Sequence, residues 1–109
     1  MESYLDDNRD VKLLYMQLDE PDGTGHRSGY GINSPDYLQA ITKSDQLVGR
    51  VLTKMEPLGL DEDSLIIILT DHGGGGADSH SQGSGHPEDM TAFCLGLCRS
   101  WHQAGHTSF

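Results

Sequence analysis

Two stretches of this 109-residue chain concentrate side chains that bind metals and move protons. The first is Glu20-Pro21-Asp22-Gly23-Thr24-Gly25-His26, and the second is Asp71-His72-Gly73-Gly74-Gly75-Gly76, with His80 and His86 following it. Carboxylate oxygen and imidazole nitrogen are donors that a divalent ion such as Zn²⁺ accepts, at roughly 2.0–2.2 Å. Asp22 and His26, spaced Asp-x-x-x-His around a glycine-containing turn, can aim both heads at one ion. Asp71 and His72 would diverge within a strand, but just past a strand end glycines let the backbone turn without steric cost. Taken singly, these residues have plainer readings. Asp22 can be the turn residue of Pro-Asp-Gly, His26 a surface histidine, Asp71 a cap after a strand, and the glycine run a flexible linker. The recurrence of the same residue types in both segments favours a shared site.

The elements that must position them read as an α/β arrangement. Val11 to Leu18 is an apolar-rich run stopped by Pro21-Asp22-Gly23, which predicts a strand followed by a polar, glycine-rich segment from Asp19 to Asn33. Ser34-Pro35-Asp36 reads as a helix start, with a serine cap, proline at the first helical position and an acid in the first turn. Leu38, Ile41, Val48, Val51, Leu52 and Met55 then recur on one helical face, and Pro57 and Gly59 end the helix. Ser64 to Thr70 is β-branched without polar alternation, as expected of a strand buried on both faces of a parallel sheet. The middle of the chain is therefore expected to be β-α-β, with a right-handed crossover. Residues 71–90 are expected to form a long loop, and Thr91 to Leu97 a third strand. Both chemical segments then lie outside the carboxyl ends of strands, where open α/β sheets bind ligands.

Composition narrows the partners. With 7 Lys and Arg against 17 Asp and Glu, the net charge is −10, and no basic run offers a footprint for nucleic acid or an anionic membrane. The apolar share of 35% and the 14 glycines predict a thin core. Leu65 to Leu69 is the longest run of apolar side chains, too short to span a membrane. Residues 1–7 show neither a basic nor an apolar leader region, so a cytoplasmic location is expected. Cys94 and Cys98 fit neither a zinc knuckle nor a redox pair, and are expected to be buried apolar residues in a reducing compartment.

The segment from Leu18 to Gly29 resembles the EPD-x-x-GH-x-x-G motif of the type I phosphodiesterase/nucleotide pyrophosphatase branch of the alkaline phosphatase superfamily. A helix with Ala40-Ile41 and Asp45-x-Leu47-Val48-Gly49 and an apolar strand ending in Asp71-His72-Gly73 follow in the family's order. His80 and Pro87-Glu88-Asp89-Met90-Thr91 are similar to the HG…PEDMT stretch of bacterial members. The likeness covers residues 10–97, leaving residues 98–109 as an unplaced tail and the whole chain as a single partial domain. It implies part of a three-layer alkaline-phosphatase-like fold and a hydrolase with two divalent metal ions, Zn²⁺ by the His/Asp mix, although Mn²⁺ and Fe²⁺ share those ligands. Carried over, Asp22 and His26 bind one ion with His80 as third ligand, preferred to His86. Asp71 and His72 bind the other. The substrate expected is a phosphate ester or nucleotide-like small molecule.

One departure bears on activity. In the family the nucleophile and another aspartate ligand come from a segment well before Glu-Pro-Asp, whereas here Met1 to Asp10 precede the first expected strand. Ser3 is a poor nucleophile candidate there, so the chain is expected to be a fragment that is inactive alone, with association with an amino-terminal half as an alternative role. Two other readings remain open at this point: a non-catalytic metal-binding or subunit-interaction module, and a fragment of a sulfatase or phosphoglycerate mutase relative.

Overall fold

The computed structural model describes residues 2–74 and 87–98. In chain order these form α1 (Glu2–Asp7), α2 (Glu20–Ser28), α3 (Pro35–Met55), a short 3-10 turn (Glu56–Leu58), β1 (Leu65–Leu69), α4 (Pro87–Met90) and β2 (Cys94–Cys98). The class is mixed α and β, with a two-stranded sheet.

The long helix α3 is the spine, and it begins where the cap signal puts it. Ser34 Oγ accepts from the Tyr37 backbone N–H (3.4 Å) and donates to the Ser28 carbonyl (3.2 Å), so one buried hydroxyl both caps α3 and ties it to the end of α2. Such a cap contributes about 1 kcal/mol. At the other end Gly59 takes the left-handed conformation, φ 67°, that stops the chain after Pro57. The side of α3 turned inward is the expected one from Val48 to Met55, with Leu52 also half-buried, and departs from it in the first turns. Ala40 is buried and Tyr37, Ser44, Val48, Val51 and Met55 are half-buried along one stripe, while Leu38 and Ile41 stay exposed. That stripe faces α1 and α2, which both pack on α3. Leu5 of α1 is the most buried apolar side chain at 1% exposure, and Arg50–Glu2 (2.7 Å) and Lys54–Asp6 ion pairs flank it.

Three expectations are corrected here. Residues 11–18 are not a strand: they keep a strand's alternation, with Leu14, Met16 and Leu18 half-buried and Leu13 and Tyr15 exposed, but join no sheet among the described residues. A strand exists only through its ladder, and this stretch instead bridges α1 to α2. The described sheet is antiparallel where a parallel pair was expected, with Leu65 opposite Cys98 and Leu69 opposite Cys94. Thr70 and Phe93 close the ladder's end: Thr70 N donates to Phe93 O and Phe93 N donates to Thr70 Oγ1, both at 3.0 Å. Finally, β1 is not buried on both faces, since Leu65, Ile67 and Leu69 are 67%, 55% and 62% exposed. The cysteines correct with it. Cys94 is exposed and Cys98 half-buried, because no described layer covers the sheet face they share with Leu65, Ile67 and Leu69.

Candidate metal centre

The Glu-Pro-Asp segment is helical rather than a turn. Pro21 sits in the first turn, where its missing N–H is not needed, and Glu20 and Asp22 at the start with His26 and Arg27 at the end suit the helix dipole. Arg27 Nη2 also donates to Thr24 Oγ1 (3.0 Å). Two glycines in such a helix cost about 1 kcal/mol each, which packing against α3 offsets. The consequence is geometric: the Asp-x-x-x-His spacing becomes one helical turn, and His26 Nε2 lies 3.6 Å from Asp22 Oδ1.

The second segment reaches the same oxygen. His72, just past β1, places its Nε2 3.5 Å from Asp22 Oδ1. Its Nδ1 is 2.6 Å from the Gly73 carbonyl, which can only accept, so Nδ1 carries a proton and Nε2 is the atom turned to Asp22. An imidazole held this way by its far nitrogen is the usual preparation for metal ligation. Two donors each roughly 2.1 Å from a tetrahedral ion stand about 3.4 Å apart, so both Asp22–His pairs have the spacing of ligands to a shared ion. In donor type and pair spacing the residues fit a divalent metal. Among the described residues, however, no three His, Cys, Asp or Glu side chains are placed so that they could hold one metal ion together, so the fit rests on the two pairs alone.

Asp71 is exposed, and its Oδ1 accepts from the His72 backbone N–H (3.2 Å). The structure thus brings His72, rather than Asp71, to Asp22. His80 and its alternative His86 lie outside the described residues.

The glycine run has a packing role at its start. A Cβ at Gly73 would lie 2.0 Å from the Glu88 carbonyl oxygen and 2.5 Å from that of Thr91, and Gly73 N donates to Asp89 O (2.9 Å). The Pro87–Met90 turn therefore seats directly on the backbone beside His72, and Asp89 is buried there. The hydrogen bond to Gly73 raises the His72 pKa above its ordinary value against an opposing desolvation, with the Asp71, Asp22 and Asp89 charges adding to the rise.

Sequence reasoning missed Tyr30. Its hydroxyl donates to Asp22 Oδ1 at 2.6 Å, and its ring stands edge-on to both His26 (5.7 Å between centroids) and Tyr37 (5.4 Å). The available signal was Gly29-Tyr30-Gly31: both glycines adopt positive φ, 88° and 94°, and let the chain double back onto α2. Burial, with the Asp22 charge second, pushes the Tyr37 pKa above its ordinary value. The folded chain then holds this proton to higher pH than the unfolded chain does. Neutral Tyr37 thus contributes fully below about pH 10, and its contribution is lost as pH rises through the folded value. Urea unfolding across that range is expected to show a stability decline that Tyr37→Phe makes shallower; an identical decline in the variant would exclude Tyr37 as its source.

A sequence model of the family described as type I phosphodiesterase / nucleotide pyrophosphatase matches residues 1–91. Among curated proteins, mouse ectonucleotide pyrophosphatase/phosphodiesterase family member 1 is 38% identical over 58 residues, 53% of this chain and 6% of that protein. The bis(5'-adenosyl)-triphosphatase ENPP4 of Pongo abelii is 34% identical over 67 residues, 61% of this chain and 14% of that one. Human ectonucleotide pyrophosphatase/phosphodiesterase family member 7 is 34% identical over 64 residues, 59% of this chain and 14% of its own length. The chain therefore spans a small part of the relatives it matches. No solved structure matches it.

Proposed function

The chain is a member of the type I phosphodiesterase/nucleotide pyrophosphatase family, and from that membership we propose that it is the metal-binding part of a phosphoric ester hydrolase acting on a nucleotide-like substrate. The observation that carries this reading is the meeting of His26 and His72 at one oxygen of Asp22. Asp22 and His26 hold one divalent ion with His80 as a further ligand, while Asp71 and His72 serve a second; Zn²⁺ suits the donors. Bound ions supply charge stabilisation at the attacking and leaving oxygens of an in-line displacement. The chain's own part is to bind and orient: α2 sets the Asp22–His26 pair, and the Gly73 carbonyl holds His72 by its far nitrogen.

We assign the nucleophile to a segment outside these 109 residues. Ser3, the one early candidate, lines a cleft with Met16, Leu47, Arg50 and Val51 instead. In the complete protein the sheet extends into a parallel, three-layer domain. The open face of Leu65, Ile67 and Leu69 supports this, since strands apolar on both faces are normally covered on both. Among the described residues no helix is long and apolar enough to cross a membrane.

Zinc titration of the full chain, followed through the imidazole nitrogen resonances, tests the reading. His26 and His72 are expected to shift together, reversibly with chelator, and the zinc-loaded chain to leave a chromogenic phosphodiester intact. Saturating zinc that moves neither ring would overturn the metal assignment, and chelator-sensitive turnover by the chain alone would overturn the placement of the nucleophile.

A further inference from the structure

We infer that Tyr30 is a positioning residue of the metal centre, its hydroxyl orienting the Asp22 carboxylate and its ring locking the two chemical segments together. The inference rests on the metal reading above and adds to it a residue that the motif pattern does not contain. Three independent contacts meet on this one side chain. Its hydroxyl is 2.6 Å from Asp22 Oδ1, the short distance of a hydrogen bond to an ionised oxygen. Its ring packs edge-on against His26 at 5.7 Å, fixing the plane of the second candidate ligand on α2. The ring also fills the space that side chains at Gly25 and Gly74 would need: a Cβ at Gly25 would fall 2.2 Å from Tyr30 Cε1, and one at Gly74 2.4 Å from Tyr30 Cδ1.

Gly25 belongs to α2 and Gly74 to the segment after β1, so the ring lies between the elements carrying Asp22 and His72. The approach of His72 to Asp22 therefore depends on a phenol held between two glycines. The hydroxyl acts on the carboxylate itself. Oδ1 is the oxygen that both imidazoles face, and a donor on one of its lone pairs restricts where the others point. A ligand carboxylate left without such a partner samples several rotamers and loses affinity; outer partners of this kind are worth about 10–100-fold in metal binding.

Tyr30→Phe separates the two roles, because it keeps the ring and removes only the donor. The variant is expected to keep the wild-type thermal midpoint of the metal-free chain and to bind Zn²⁺ about 10-fold more weakly by calorimetry. In an Asp22→Asn background the same change is expected to have no further effect on zinc, since Tyr30 acts through that carboxylate. Three-bond couplings at the Asp22 β-protons of the metal-free protein give a second readout. They are expected to move from a single rotamer in the wild type to averaged values in Tyr30→Phe. Unchanged couplings with unchanged zinc affinity would overturn the inference while leaving the metal reading intact. A wild-type chain that binds no zinc would remove the metal reading, and the couplings would then decide alone whether Tyr30 orients Asp22.

Discussion

Asp22→Ala is expected to weaken zinc binding by more than 100-fold, beyond the roughly 10–100-fold that outer-sphere partners carry. The reason is that Asp22 Oδ1 is the common point of the centre: His26 Nε2 at 3.6 Å, His72 Nε2 at 3.5 Å and the Tyr30 hydroxyl at 2.6 Å all meet it. Removing the carboxylate takes away a ligand of the Asp22–His26 ion and also the negative charge that lies beside His72, a proposed ligand of the second ion. His26→Ala, which breaks one pair, is expected to do less. Calorimetric titration of the two variants against the wild type gives the ordering directly. Equal losses, or a larger loss for His26→Ala, would mean that Asp22 does not carry the centre.

Gly73→Ala is the second large effect, and it falls on structure before chemistry. Its new methyl would meet two backbone oxygens, those of Glu88 and Thr91, at 2.0 and 2.5 Å. Flexible side-chain ends could swing aside, but backbone carbonyls cannot move without shifting α4. Overpacking of this kind costs about 1–3 kcal/mol, and the shift would also strain the Gly73 N–H to Asp89 O bond, 2.9 Å in the wild type. The variant is expected to lower the urea midpoint and to expose amides of residues 87–90 to hydrogen exchange. Zinc affinity should fall with it, because the carbonyl that holds His72 Nδ1 belongs to the displaced residue. A variant with wild-type exchange at those amides would show that the Pro87–Met90 turn is not seated on Gly73.

The candidate residues were legible as types and spacings, because metal ligation limits the donors to a few side chains. Asp22, His26 and His72 could be named that way, and so could the start of α3 at Ser34 and the stop at Gly59 after the 3-10 turn that follows it, since both are decided by bonds within a few residues. The glycines at 73 and 74 were visible but ambiguous. A flexible linker and a close backbone approach use the same residue, and only the presence of Glu88, Thr91 and Tyr30 at their Cα atoms separates the two.

The sequence by itself determined the family, the candidate donor residues, the long amphipathic helix and an apolar strand before Asp71-His72, all of which rest on local pattern. Tertiary structure decided what propensity could not. It made Glu20–Ser28 a helix despite Pro21 and two glycines, by packing it on α3; it left residues 11–18 outside the sheet; and it paired β1 with β2 in antiparallel order. It also brought Tyr30 back to Asp22, a contact that depends on two positive-φ glycines and on the opposing surface of Gly74. Pairings between residues distant in the chain are set by which surfaces meet, and no single-segment period encodes them.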